Sequence, residues 1–316
     1  TSGHVKTGIV AEIKGLNPKK KKILLRADLD ALPIHEENKI EYKSVNNGIM
    51  HACGHDVHTS SLLGAMLILN QLRNSFEGTI ECVFQPGEEV LPGGAKLMIE
   101  EGLLSEPPKC CSAQHVFPDL EAGKVGFKSG MYMASTDEIH ITVKGKGGHA
   151  ALPNKLVDPV LMAANLITNM QQIVSRNNHP TDPSVLSFGY LKADGATNVI
   201  PDDVYIKGTF RTFNEKWRKE AHVKMKTLAK SICNGMGGDC DFEIREGYPF
   251  LENDASITKI AKAAAERYLG EENVVDLPLR MTAEDFSYFS QVSPSCFYRL
   301  GTGNVNNLQN LHSSTF

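Results

Sequence analysis

The spacing of apolar positions changes character along this chain, and each change predicts different elements. Over the first 130 or so residues, short apolar runs alternate with helical patterns. "ILLRADLD" predicts a strand at 23–27 that ends in acids. Leu62, Leu63, Met66, Leu67 and Leu69 recur at helical spacing and predict a helix over 57–73. "GTIECVFQP" predicts a strand at 78–84, stopped by Pro86 and Gly87. A helix at 93–104, capped by Gly102, and a strand at 109–116 follow. Strands alternating with helices predict a mostly parallel sheet covered on both faces.

From residue 136 the period becomes 2. "TDEIHITVKG" reads as a half-exposed antiparallel strand at 136–144. A helix at 156–175, strands at 184–191 and 203–212, a helix at 214–234 and the strand "CDFEIREGY" follow. The order βαββαβ is the ferredoxin-like unit, of about 110 residues. After Pro249 come a helix at 255–268, a short strand at 273–276 and the strand "CFYRL" at 296–300. The expected fold is α/β: a split domain, 1–132 plus 248–316, with a mixed, mostly parallel sheet, and a smaller α+β domain inserted at 133–247. Termini that fall in one domain accommodate such an insertion.

Composition narrows the class without naming a function. The chain has 316 residues, 41% hydrophobic and 22% charged, an ordinary globular balance that excludes collagen-like, coiled-coil and disordered readings. Thirty-three basic against thirty-seven acidic residues give a net charge of −4, so no global basic field exists to hold nucleic acid. The run Lys19 to Lys22 reads as a solvated turn before a strand. No stretch approaches the roughly 20 apolar residues of a membrane span, and no signal peptide opens the chain. Seven cysteines, an odd count without disulfide-scaffold spacing, suit a reducing, cytoplasmic compartment. The chain has no initiator Met and stops four residues past His312, so we expect a trimmed fragment with material missing at one or both ends.

The candidate chemistry converges on one edge of the expected sheet. Asp28 and Asp30 follow the first strand, Glu88 and Glu89 the second, and His115 ends the third. Ligands in open α/β sheets bind outside the carboxyl ends of the strands. The densest cluster is "HACGHDVHT", with His51, Cys53, His55, Asp56 and His58. Thiolate and imidazole are donors that zinc-like ions prefer. The alternatives are core packing with helix capping, or a Cys53 nucleophile activated by His55. The Glu88–Glu89 pair sits between a strand and a helix. It reads either as two solvated acids facing the helix N-terminus, or as one metal ligand with a neighbour free to deprotonate a metal-activated water. His115 and His312 are unremarkable alone but become ligand candidates beside Cys53 and Glu89. His149, in "GKGGHAALP", suits a donor to a developing oxyanion. The glycines around it match neither phosphate-loop pattern. Asn198 ("TNVIPD") and Arg211 ("GTFRTF") are candidates for holding substrate, Arg211 by a bidentate grip on a carboxylate. A surface role suits these last three equally well.

In order along the chain, "RADLDALP", "MHACGHDVHT", "QPGEE", "GKGGHAALP", "TNVIPD", "GTFRTF", "AEDF" and "LHSSTF" resemble the amidohydrolases that include hippurate hydrolases, N-acyl-amino-acid amidohydrolases and auxin-conjugate hydrolases. These belong to the aminoacylase–carboxypeptidase group of dinuclear metallopeptidases. The resemblance implies a zinc-exopeptidase-like catalytic domain binding two divalent ions per subunit, zinc or manganese, with cobalt or nickel as further options. It implies Cys53, His55, Glu89, His115 and His312 as metal ligands and Glu88 as general base. Asp30 is implied as an orienting acid. It makes the insertion a lid that also forms a homodimer, with His149 reaching substrate, and has Asn198 and Arg211 contacting an N-acyl-amino acid or short peptide. One departure is Val90-Leu91-Pro92 after the Glu pair, where the family is rich in Gly or Ala. Family members also carry further helices at both ends. The implied activity is hydrolysis of the amide joining an acyl group to an amino acid. A dipeptidase or carboxypeptidase with the same metals, and a non-catalytic binding homologue, are the alternatives.

Overall fold

The computed structural model describes residues 2–304 and 309–316. It divides into two compact units. Unit 1 runs to Tyr132 and takes up Leu251–Arg280 and Glu284–Phe316; unit 2 is Met133–Phe250 with Met281–Ala283. Unit 2 thus reaches three residues past the expected 247, because Thr136 N–H donates to Tyr248 O and Phe250 N–H to the Glu215 carboxylate. Residues 281–283 join it through Ala134 N–H and Thr282 O.

Unit 1 opens with strands β1 (Ser2–His4), β2 (Gly8–Lys14) and β3 (Lys22–Asp28), then helix α1 (His55–Gln71). β4 (Thr79–Gln85), α2 (Gly94–Glu100), β5 (Cys110–Glu121), β6 (Val125–Phe127) and β7 (Gly130–Met133) follow. Unit 2 holds β8 (Asp137–Lys144), β9 (Gly148–His149), α3 (Pro159–Gln172), β10 (Ser184–Lys192), β11 (Val199–Ile200), β12 (Asp203–Thr212), α4 (Glu215–Gly235) and β13 (Asp239–Glu246). The chain then completes unit 1 with β14 (Leu251–Asn253), α5 (Ala255–Leu269), β15 (Val274–Asp276), α6 (Ser287–Ser290) and β16 (Ser295–Gly303).

The unit 1 sheet has eight strands in the order β1-β2-β4-β3-β5-β16-β6-β15. Its centre, β4-β3-β5-β16, is parallel, while β2 adds antiparallel to β4, so the sheet is mixed. One face of this sheet buries Ile13, Ala27, Ile80, Cys82 and Phe84 against Leu62 of α1, with Met66 and Leu69 packed alongside. Farther along, Val125, Phe127, Val274 and Cys296 pack against Ile257, Ala261 and Ala265 of α5. No helix among the described residues is long and apolar enough to cross a membrane.

Two differences from the expected elements matter for the site. Helix α1 begins at His55, two residues early, because Gly54 turns the chain at φ +74 instead of a side-chain cap. A Cβ on Gly54 would stand 2.5 Å from Val116 Cγ2, so only glycine lets this turn press onto β5. Strand β5 runs on to Glu121 rather than stopping near 116. Its pairing with β3 nevertheless ends at Arg26–Ala113, so His115 still lies at the carboxyl edge of the parallel strands.

In unit 2 an antiparallel sheet of order β10-β12-β8-β13 packs Ile139, Ile141, Val204, Ile206 and Phe210 against Met162, Leu166 and Met170 of α3 and Trp217, Ala221 and Met225 of α4. Each helix starts on a side-chain cap, Asp158 accepting from Val160 and Leu161 N–H and Asn214 from Trp217 N–H. At the head of β8, the fully buried Asp137 accepts from Arg218 Nε at 2.9 Å and His222 Nε2 at 2.7 Å. Burial alone would raise Asp137, but His222 and Arg218 outweigh it and hold the carboxyl below 3.8. A carboxyl depressed in the folded state stabilises above its unfolded value and loses that contribution as pH falls through the lower folded one. Asp137→Asn is expected to lose about 3 kcal/mol at neutral pH, as for one partner of a buried pair. Urea titrations read this out. The variant's deficit should shrink below about pH 4, and a deficit constant down to pH 2 contradicts the assignment.

Candidate metal centre

Asp28 ends β3, and Asp30 lies two residues beyond it. The loop after β4 brings Glu88 and Glu89. The turn into α1 brings Cys53 and His55, and β5 brings His115. His312 comes from the end of the chain, through a segment docked on earlier residues of unit 1. Its N–H donates to Ala52 O at 2.7 Å, Glu37 N–H donates to Ser314 O at 2.8 Å, and Asn38 Nδ2 donates to Phe316 O at 3.0 Å.

These side chains meet. Cys53 Sγ lies 3.4 Å from His115 Nε2 and 3.3 Å from His312 Nε2. One donor atom each of Cys53, His55 and His115 fall within 4.8 Å of one another, as do those of Cys53, Glu89 and His312, and those of His55, Glu88 and Glu89. The first two groups share Cys53. His115 and Glu88 are buried, while His312 is the exposed member. Sulfur, imidazole and carboxylate at this spacing are a donor set for borderline-soft divalent ions.

The protein's own contacts leave this set short of a partner. His55 Nδ1 faces Asp30 O at 3.0 Å, and a carbonyl only accepts, so the proton sits on Nδ1. That turns Nε2 inward, where it is buried without a hydrogen-bond partner among the described residues. Glu89 Oε1 is buried in the same condition, although His312 Nε2 stands 3.2 Å away. Burial, then Glu89 and Glu88, push the Cys53 thiol far above its ordinary value. Burial, then Glu284 and Asp285, push the Glu88 carboxyl up as well. Burial depresses His115, and Arg299 adds to it. For His55, burial favours the neutral ring, but Asp28 and Asp30 overcome it and raise the group to about 9. A cation at the donor cluster would satisfy the orphaned atoms and ionise the thiol, so the residues present fit divalent metal. Cys53 Sγ contacts His115 and His312 rather than His55, and its raised thiol is the reverse of an activated nucleophile.

Asp30 lies between Glu89 and His55: Oδ2 accepts Glu89 N–H at 3.0 Å while Oδ1 lies 3.2 Å from His55 Nδ1. His149, Asn198 and Arg211 lie on unit 2. His149 is exposed on β9, paired with Val199, and Asn198 O accepts Ala150 N–H beside it. Arg211, on β12, donates from Nη1 to Met281 O at 3.0 Å.

A layer beneath the donors is not apparent from sequence spacing. Arg26 is buried on β3 and donates to Asp28 Oδ2 at 2.8 Å, Asp285 Oδ1 at 2.6 Å and Gln85 Oε1 at 2.8 Å, with Glu284 Oε1 at 3.1 Å. Gln85 Nε2 also donates to Asp285. His58 Nδ1–H donates to Asp28 Oδ1, and its Nε2 accepts Val116 N–H at 2.9 Å. Both ring nitrogens of His58 are therefore spent on holding Asp28 and β5, despite its place in the His/Cys motif. The available signals were Arg26 two positions before Asp28, hence on the same strand face, and adjacent acids in the apolar "AEDF".

Residues 24–316 match the model of peptidase family M20/M25/M40. The chain belongs to this family. It is 38% identical over 299 residues to the N-acetylcysteine deacetylase of Bacillus subtilis, covering 95% of this chain and 77% of that one. It is 42% identical over 254 residues to the N-acyl-L-amino acid amidohydrolase of Geobacillus stearothermophilus, covering 80% and 68%. A solved Bacillus subtilis structure, described as a dinuclear metal-binding peptidase of the M20 family, superposes with a TM-score of 0.83 at 33% identity, covering 100% of this chain and 81% of the other. This M20 member is a metal-dependent hydrolase of amide bonds, with the mixed α/β architecture of its neighbours.

Proposed function

We propose that this M20 hydrolase cleaves N-acyl-amino acids, releasing the acyl group as a carboxylic acid and the free amino acid. The observation that carries this reading is that the two Cys53 donor groups share His55 and Glu89 with the group that contains the buried Glu88 carboxyl. Cys53, His55, Glu89, His115 and His312 would hold two divalent ions. Bound there, the ions supply Lewis acidity and a water whose pKa falls toward about 7. Glu88 accepts the proton of the attacking water on its carboxylate and returns it to the leaving nitrogen. A base whose pKa is raised toward the working pH transfers protons more effectively than an ordinary glutamate. Asp30 fixes the tautomer and plane of His55 and the backbone of Glu89. His149 donates to the developing oxyanion, and Asn198 and Arg211 hold the substrate, Arg211 at the amino-acid carboxylate. Unit 2, with its βαββαβ order and all-antiparallel sheet, acts as a ferredoxin-like lid and homodimer contact in a cytoplasmic enzyme.

The test is a substrate panel on metal-loaded protein. N-acetyl- and N-benzoyl-amino acids are expected to be hydrolysed with kcat/KM at least about tenfold above dipeptides, the discrimination a built pocket commonly reaches. Preference for dipeptides would move the assignment to a dipeptidase on the same centre. Binding of acyl-amino acids without turnover by the ion-loaded protein would make it a non-catalytic homologue.

A further inference from the structure

A second arginine cluster lies on unit 1 beside His115, and the mechanism above leaves it unused. Phe117 follows His115 by two positions on β5, so the two side chains share a face of the strand. The guanidinium of Arg280 lies over the Phe117 ring, 4.6 Å from its centroid. Arg299, paired in register with His115 across β5 and β16, lies 6.0 Å from the same ring and 5.1 Å from that of Phe297. Tyr132 ties the two together: its hydroxyl accepts Arg299 Nε at 3.0 Å, and its carbonyl accepts Arg280 N–H at 2.9 Å.

Arg280 differs from two buried arginines of the chain, Arg26 and Arg218. Arg26 and Arg218 each meet two or more acids at hydrogen-bond distance. Arg280 is half-buried, and its Nε is shielded without a hydrogen-bond partner among the described residues. Burial, then Arg299, work against its charge, and the exposed Asp119 is the weakest of its neighbouring influences. A buried guanidinium donor with no acceptor is unfavourable. Stacking on an aromatic face holds the guanidinium plane while leaving its N–H edge available for a two-pronged grip on a planar anion. Cationic, and with an Nε left without a partner among the described residues, Arg280 stacks on Phe117, two positions along β5 from His115.

We propose that Arg280, stacked on Phe117, is a specificity-determining residue that binds a carboxylate of the substrate, giving the enzyme a preference for amides that carry a free acid. The identity of that substrate rests on the acyl-amino-acid reading; the anion site itself does not. The test uses the metal-loaded enzyme with Arg280→Met, which keeps apolar contact with Phe117 and removes the donors, and Arg280→Lys, which keeps charge without the fork. N-acetyl-L-leucine carries a carboxylate on the amino-acid half, and N-succinyl-L-leucine adds one on the acyl half. In Arg280→Met, KM is expected to rise about tenfold or more with kcat nearly unchanged, and Arg280→Lys to recover part of the loss. A rise for both substrates places the contact at the amino-acid half; a rise for N-succinyl-L-leucine alone places it at the acyl half. KM within about twofold of wild type for both overturns the proposal. Calorimetric titration of free leucine and free succinate runs in parallel and does not depend on turnover. If wild type hydrolyses neither amide, the acyl-amino-acid reading fails while calorimetry still decides this one. Binding of either acid by wild type, weakened about tenfold in Arg280→Met, supports the site; no binding, or equal binding by both proteins, overturns it.

Discussion

Glu88→Gln is expected to lower kcat by about 10²–10⁴-fold, the usual contribution of a positioned general base, while leaving the metal content at the wild-type value. The substitution preserves shape and one acceptor oxygen and removes the ability to hold a proton in transit. Its effect on stability should run the other way. Glu88 is 7% exposed, and Glu284, Asp285, Asp28 and Glu89 crowd it with like charge. A neutral amide there relieves repulsion, so the metal-free variant should melt no lower than wild type. This separates loss of a base from loss of folding. It also separates base from ligand, since one donor atom of Glu88 lies within 4.8 Å of those of His55 and Glu89. Parallel loss of bound metal and of rate would make Glu88 a ligand. Near-normal turnover would remove it from the mechanism.

The parts of the centre that the sequence made legible are those carried on single elements. Cys53 and His55 sit in one turn, Glu88 and Glu89 in one loop, and each adjoins an element whose type is readable from its apolar period. His115 was readable because a parallel strand of apolar residues ends its pairing near a polar side chain, even though β5 itself continues to Glu121. The supporting layer was hidden because it depends on register between distant segments. Arg26 and Asp285 are 259 positions apart, and no periodicity reports that a buried arginine of β3 meets an acid ahead of α6. The same holds for His312, whose backbone adopts φ +63 and anchors to Ala52 O. Strand β2 is hidden in the sequence because "GIVAEIK" has no strict alternation and its antiparallel addition to β4 breaks the strand–helix rhythm. Helix α2 is shorter than its apolar pattern suggests, ending at Glu100 ahead of Gly102 at φ +98. Roles for His149, Asn198 and Arg211 follow from resemblance, since each side chain reads in isolation as an ordinary polar residue of a strand or loop.

The arrangement of acids also accounts for how the donor side chains are held in place. Arg26 places one buried positive charge among Asp28, Glu284 and Asp285, and Asp28 in turn orients His58. His58 grips Val116 N–H, which fixes the strand position next to His115. Orientation of ligand side chains by such a hydrogen-bonded layer commonly contributes 10–100-fold to metal affinity or activity. It follows that substitutions at Arg26 or His58 should act on the metal centre without touching substrate.

Cys53→Ala should have the largest effect on metal of any single change. Cys53 is the one residue common to the group with His55 and His115 and the group with Glu89 and His312. Its sulfur is the only soft donor in either group, and softness is what favours zinc-like ions over magnesium or calcium. Burial, Glu89 and Glu88 push the thiol far up, so a thiolate there would need the charge of a cation to offset them. Deleting it removes a ligand from both groups and the charge that couples them. Elemental analysis after gel filtration is expected to find at least one of the two proposed ions gone, with kcat/KM down more than about a hundredfold, beyond what loss of a merely orienting partner produces. Cys53→Ser, a harder oxygen donor, should regain activity better with manganese than with zinc. Circular dichroism of the metal-free Ala variant should match metal-free wild type, because a small buried thiol contributes little to a sheet core already closed by Phe84 and Leu62. An Ala variant that keeps two ions at wild-type affinity would place Cys53 outside the coordination sphere. The donors would then have to be regrouped around His55, Glu88 and Glu89, a set that does without sulfur.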